Sequence, residues 1–226
     1  MTSQSRQNFD RNREDIERLL QIHADVTPGG PGRKCKVESL HKASIVLLSA
    51  FWEAFCEDLA AEALEHLVAH AEGAGSLPEP LRRRVAKDLE LAKNPHAAWS
   101  LADNGWRTEL QSRFQALQTE RNTTLNTPKT WNISKLFADA IGIEDVDKHW
   151  YWKGMSVEGA AAKLDALVTL RGDIAHRGSS ASGVTKGQVE QYYAHIKRLV
   201  ASTETHIAAE LLAVTGRPLW VDGEAQ

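Results

Sequence analysis

Between residues 171 and 178 the chain reads RGDIAHRG, which sets Arg171 and His176 five positions apart. An imidazole can take up or release a proton near neutral pH, and a guanidinium can hold a phosphate through two parallel hydrogen bonds. Together they suit cleavage of a phosphodiester without a metal. The spacing alone carries little weight. With 15 arginines and 9 histidines in 226 residues such a pair is expected by chance, and Arg18 and His23 form a second one.

Position separates the two pairs. Arg18 and His23 fall inside a helical pattern, DRNREDIERLLQIHADV, where five residues correspond to about 140° of rotation and the side chains diverge. His23 also lies on the apolar stripe of that pattern, with Ile16, Leu19 and Leu20, and reads as a hydrogen-bonded core histidine. His176 stands in the last turn of its helix, ahead of Gly178, where fraying and the glycine stop can swing the imidazole toward Arg171. Without a chemical role, Arg171, His176 and Arg177 would still act as cations opposing the dipole at a helix C-terminus.

The elements that must position this segment are helices throughout. Apolar residues recur with helical period, and proline and glycine collect in a few connections. A first helix is predicted over residues 8–25, followed by the break TPGGPGRK. A long helix over 37–72 carries Leu40, Leu47, Leu48, Phe51, Phe55, Leu59 and Leu67, and its length suits a spine or a dimer contact. PLRRRVAKDLELAK starts a short basic helix with proline in its first turn, HAAWSLADNGW reads as an irregular connection, and TELQSRFQALQTER as a further helix. NTTLNTPKTWN is a polar loop before a short helix at SKLFADAIG. Ser156 begins the helix that ends in RGDIAH, and a last long helix runs over 185–215 with Val189, Tyr192, Ile196, Leu199, Thr203, Ile207 and Leu211 on one face. The fold class is all-α.

Composition narrows the function. A net charge of -3 gives no general attraction to nucleic acid, so contact with RNA or DNA must come from local clusters such as Arg33, Lys34, Lys36 and Lys42, or Arg82, Arg83 and Arg84. Two cysteines, Cys35 and Cys56, exclude a disulfide framework and fit a reducing cytoplasm. The N-terminal residues hold no apolar signal-like stretch, and the longest near-apolar run, Ala43 to Trp52, is about half a membrane span. A soluble cytoplasmic protein is expected.

The helix HKASIVLLSAFWEAFCEDLAAEAL and the later run LFADAIGIEDVDKHWYWKGMSVEGAAAKLDALVTLRGDIAHRG together resemble the HEPN superfamily, closest to its RiboL-PSP-HEPN branch. The resemblance covers about residues 38–200, and its most specific part is the helix ending in arginine, four residues and histidine, then a basic residue and glycine. It implies one domain over 1–226, a HEPN-like bundle with long antiparallel helices, with the helix at 8–25 and the tail at 216–226 as additions. It also implies a dimeric, metal-independent endoribonuclease of a toxin or antiphage defence system, with Arg171 and His176 as its catalytic pair. An antitoxin or defence-system partner protein is implied with it. Many members carry a polar residue directly after the arginine. Here Gly172 stands there, and the nearest carboxylate, Asp173, is the residue placed to orient the imidazole or the arginine. Gly178 occupies the position of the tyrosine that nucleotidyltransferase antitoxins modify in part of the branch, so that form of regulation is not expected.

Acid-base chemistry agrees with a dimer. Cleavage of RNA needs a base for the 2'-hydroxyl and an acid for the leaving 5'-oxygen, which a single histidine cannot supply together. A twofold interface through the motif brings two copies of Arg171 and His176 into one cleft. Arg177, Trp152 and Lys153 of the aromatic-basic run HWYWK, and Arg33 and Lys34 of GGPGRK, are the expected RNA contacts. Glu62, His66 and His70 share a helix face, but Leu67 stands where a zinc protease places its glutamate, so no metal and no cofactor is expected. The alternative is a non-catalytic HEPN-like dimeric module that binds RNA, a nucleotide or a partner protein.

Overall fold

A computed structural model describes residues 2–25, 37–91, 94, 96–123, 127–177 and 183–220. Among them the chain forms eight α-helices: α1 (Gln4–Asn12), α2 (Glu14–Asp25), α3 (Glu38–His70), α4 (Glu79–Leu91), α5 (Gly105–Thr123), α6 (Thr130–Ile141), α7 (Val157–Arg177) and α8 (Lys186–Thr215). Three short 3-10 turns lie at Ala74–Ser76, Ala97–Leu101 and Val146–His149. The only strand-like pairing among the described residues is an isolated bridge between Trp152 and Met155. The all-α class therefore holds.

α3 is the spine. α1, α2, α5, α6, α7 and α8 all pack on it, which is why Ile45, Leu48, Trp52, Phe55, Cys56, Leu59, Ala63 and Leu67 are buried around much of its circumference rather than along one stripe. α7 and α8 run antiparallel, with His195 Nε2 3.1 Å from the Ala160 carbonyl. α3 and α8 run parallel, since His41 meets Val184 just before α8 begins and His66 meets Thr215 where both helices end. On α8 it is Tyr193 rather than Tyr192 that enters the core.

The predicted first helix is two helices. Its pattern runs unbroken through residue 13, yet the chain turns there because Arg13 has distant partners. Its guanidinium bonds Asp10 at 2.7 Å, Glu17 at 2.7 Å and the Tyr193 hydroxyl of α8 at 2.7 Å. Burial raises the Tyr193 hydroxyl to about 12, with the Glu17 carboxylate acting in the same direction. α1 also starts earlier than residue 8. Ser3 caps it by accepting from Arg6 N, while Glu62 of α3 accepts from Gln4 N and Ser5 N and Glu204 of α8 accepts from Ser3 N. All four amides that a helix start leaves without internal partners are thus satisfied, two by one carboxylate and one by another.

α6 begins at Thr130, four residues before the predicted start, because Asp165 of α7 accepts from Thr130 N at 2.8 Å and caps it from a distance. It ends at Gly142, whose φ of 75° and close neighbour Leu81, whose Cβ would lie 2.8 Å from an added Cβ, leave room only for glycine.

His195 carries a pH dependence. It is buried on α8, its Nε2 donates to the Ala160 carbonyl, and its Nδ1 has no partner. Burial lowers it from 6.5 to about 4. Between those values the unfolded chain binds a proton that the folded chain refuses, so stability is full above pH 6.5 and falls as pH drops toward 4, by roughly 3 kcal/mol in total. Unfolding free energies from urea titrations at pH 7.5 and pH 5 are expected to differ by about 2 kcal/mol more in the wild type than in His195→Gln. An equal difference in both proteins would remove His195 as the cause.

Candidate active site

α7 places the motif. Ala160, Leu164, Leu167, Val168 and Ile174 form its buried stripe, and Arg171 continues that line at half-buried exposure. Glu158, Ala162, Ala166, Thr169 and His176 are exposed on the other side. Asp173 stands three residues before His176, on the same outward face. The helix continues through Arg177, so His176 keeps its helical direction and points about 140° away from Arg171. The expected swing of the imidazole toward the arginine does not occur, because the last described turn is intact. Among the described residues, no hydrogen bond or ion pair joins Arg171, Asp173 and His176.

The surroundings of this helix end are well defined. Val184 and Thr185 follow the connection from α7 and lead into α8, where Thr185 and Gln188 form a reciprocal cap. The Val184 carbonyl accepts from His41 Nδ1 at 2.9 Å, which leaves His41 Nε2 to accept from His23 Nδ1 at 2.8 Å. The two imidazoles stack with centroids 4.8 Å apart. His23 is therefore a hydrogen-bonded histidine at a junction where the end of α2 and the start of α3 meet the start of α8.

The expected RNA contacts fare differently. Lys153 is exposed, and Trp152 is half-buried with its ring 5.4 Å from that of His195. Both precede the first turn of α7, so roughly 30 Å of helix separates them from His176 and one chain does not bring them together. Trp150 of the same run belongs to the core, donating from Nε1 to Thr203 at 2.9 Å. Arg33, Lys34, Lys36, Cys35, Gly178 and the side chain of Arg177 lie outside the described residues. Asp25 and Val37, the described residues on either side of Arg33 and Lys34, stand near the His23–His41 junction in sequence.

The other basic cluster is engaged. Arg83 pairs with Glu79 at 2.7 Å, Arg84 with Asp139 and with Glu144 at 3.4 Å, and Arg82 donates to the Leu77 carbonyl at 3.1 Å. A cavity of about 680 Å³ beside it is lined by Arg84, Trp131 and Lys135, but also by Glu144, Asp147 and Asp165. That mixture does not favour a phosphate. Glu62 accepts from Ser5 N and from Trp220 Nε1, so its carboxylate serves the α1 cap rather than the His66–His70 face.

One constellation had no signal in the sequence. Asp145 and His149, on the turn after α6, meet His206 of α8, and their ligand atoms all lie within 4.8 Å of one another. Only Asp145 and His149 stand four apart in the chain, and His206 arrives through packing.

The model of the RiboL-PSP-HEPN family matches residues 8–209. The matched region takes in α2 and most of α1, beyond the span over which the sequence motifs carry their resemblance. No curated protein and no solved structure matches the chain. No helix among the described residues is long and apolar enough to cross a membrane.

Proposed function

The chain belongs to the RiboL-PSP-HEPN family, which suggests a nuclease-like or RNA-related role, and we propose that it is a metal-independent endoribonuclease. It acts as a homodimer with a composite active site. In this reading the 2'-hydroxyl of the substrate attacks the adjacent phosphorus while one His176 takes its proton. The other His176 protonates the departing 5'-oxygen, and both Arg171 guanidiniums hold the phosphorane charge. The products are a 2',3'-cyclic phosphate and a 5'-hydroxyl. Asp173 orients the imidazole from the turn before it. Toxin or antiphage defence is the setting that this activity suits.

The observation that carries the proposal is the family match over residues 8–209, a span that takes in the RGDIAH end of α7; with Arg171 and His176 diverging, only a second copy could complete the site. A single chain presents half-buried arginine and exposed histidine on different faces, so it offers half a site. Ala162, Ala166, Thr169 and Gly172 support the dimer further. They keep the outward side of α7 low, and an added Cβ on Gly172 would meet nothing within 4 Å, so a second helix can approach closely. Arg33 and Lys34 would serve RNA binding by their charge. Arg177 would do so from the end of α7, and Trp152 and Lys153 from the other end of that helix.

The test is RNA cleavage in EDTA, with DNA of the same sequence as a control. RNA is expected to be cut and DNA spared, since DNA lacks the internal nucleophile. Equal cleavage by wild type and His176→Ala would reject the assignment. RNA binding that survives in His176→Ala, with no product from either protein, would instead identify a non-catalytic binding module.

A further inference from the structure

We propose that Asp145, His149 and His206 form a binding site for a first-row divalent metal ion, with Glu210 supporting one of its histidines. The site ties the turn after α6 to α8.

The distances match what such an ion requires. One Asp145 oxygen lies 3.6 Å from His149 Nε2 and the other 3.4 Å from His206 Nε2. Metal bonds of 2.0–2.1 Å in a tetrahedral site set ligand atoms roughly 3.3 Å apart; with one ligand atom per residue the three groups lie within 4.8 Å of one another, so the exposed Asp145 carboxylate turns to bring a single oxygen to the ion. The imidazole rings stack 3.6 Å apart at 12°. Ring-nitrogen lone pairs lie in the ring plane, so joint ligation requires one ring to tilt. His149 is the ring free to do so, with its side chain 40% exposed on a short turn, against 6% for His206 on a packed helix.

The chemistry of the donors points the same way. Two imidazoles and a carboxylate are a common set for zinc and its neighbours, and the carboxylate offsets part of the ion's charge. Glu210 Oε1 lies 4.0 Å from His206 Nδ1, on the side where a carboxylate favours the tautomer that leaves Nε2 as ligand. A cavity of about 470 Å³ reaches Asp145 and Glu210 from the side of Pro78, Pro80 and Val214. Gly142 fixes where the turn leaves α6, and the Ser202 hydroxyl donates to the His149 carbonyl, so both halves of the site are held by the fold before any ion arrives.

The site is separate from the catalytic motif. His206 lies 20 residues along α8 from Lys186, roughly 30 Å from the end of the bundle that holds His176. Its role is that of a cross-link, and stripping the ion lowers stability without reaching the reacting groups.

Tag-free full-length protein, treated with EDTA and desalted, is titrated with Zn²⁺ by calorimetry, and its Tm is measured with and without the ion. One Zn²⁺ per chain and a rise in Tm are expected for the wild type. His149→Ala, at a half-buried position, and Asp145→Asn, at an exposed one, are expected to weaken binding at least tenfold and lose the rise in Tm. His70→Ala, in the His66–His70 pair whose ring centroids lie 4.6 Å apart, is expected to bind as the wild type does. Absence of Zn²⁺ binding to the wild type would overturn the proposal. So would unchanged binding in His149→Ala, or loss of binding in His70→Ala.

Discussion

Replacement of His176 by alanine is expected to lower RNA cleavage by about a thousandfold or more, because a symmetric dimer loses its general base and its general acid together. Cleavage is read from the 2',3'-cyclic phosphate product. Folding is not at risk, since His176 is exposed and has no packing role. Mixing experiments give the sharper result. If wild-type and His176→Ala chains exchange freely in equal amounts, only about a quarter of the dimers carry two functional histidines. Activity should then fall to about one quarter of the value for wild type alone at the same total concentration. A fall to one half would mean that each protomer cuts by itself and would remove the composite site.

Trp52→Ala is expected to cost about 3–5 kcal/mol, a large part of the 5–15 kcal/mol that holds a typical domain together. Trp52 is fully buried on the spine, stacked at 6.0 Å on Phe55 and edge-on at 5.8 Å to Trp150, and its Nε1 donates to the Pro128 carbonyl at 3.3 Å. Truncation opens a cavity where α3, the 150s segment and the start of α6 converge, and it also leaves the Pro128 carbonyl without a donor. A Tm fall of roughly 10–15 °C should accompany it in a chain of this length. Trp52→Phe retains most of the ring contacts and should recover more than half of the loss in urea unfolding. If Trp52→Ala cost less than about 1 kcal/mol, the packing around the spine would be looser than described.

The long helices were legible because their signals are local. α3, α7 and α8 each have a sustained 3.6-residue pattern, and their ends fall near proline, glycine or a serine or threonine cap. The break at Arg13 was not legible, because the periodicity runs through it and the cause is a tyrosine on α8. The early start of α6 was hidden for a similar reason, its cap being Asp165 of another helix. The candidate site divides along the same line. Arg171, Asp173 and His176 occupy one helix and could be picked out from spacing and context. That His176 stays in line with the helix could not, since the difference is one turn of backbone. Asp145 and His206 are 61 residues apart and meet only through the packing of α8 on the turn after α6.

The bond between Ser3 and Glu204 has a consequence for synthesis. It joins the first helix to the last across 201 residues. At 5–20 residues per second, α1 waits roughly 10–40 s on the ribosome before Glu204 is made. α3 emerges early as well, and the side of it that α8 covers stays open until α8 arrives. Until then the spine is covered by the earlier helices on its other sides but lacks its last neighbour. Truncation before Glu204 removes the acceptor of Ser3 N and takes Ile207 and Leu211 out of the core.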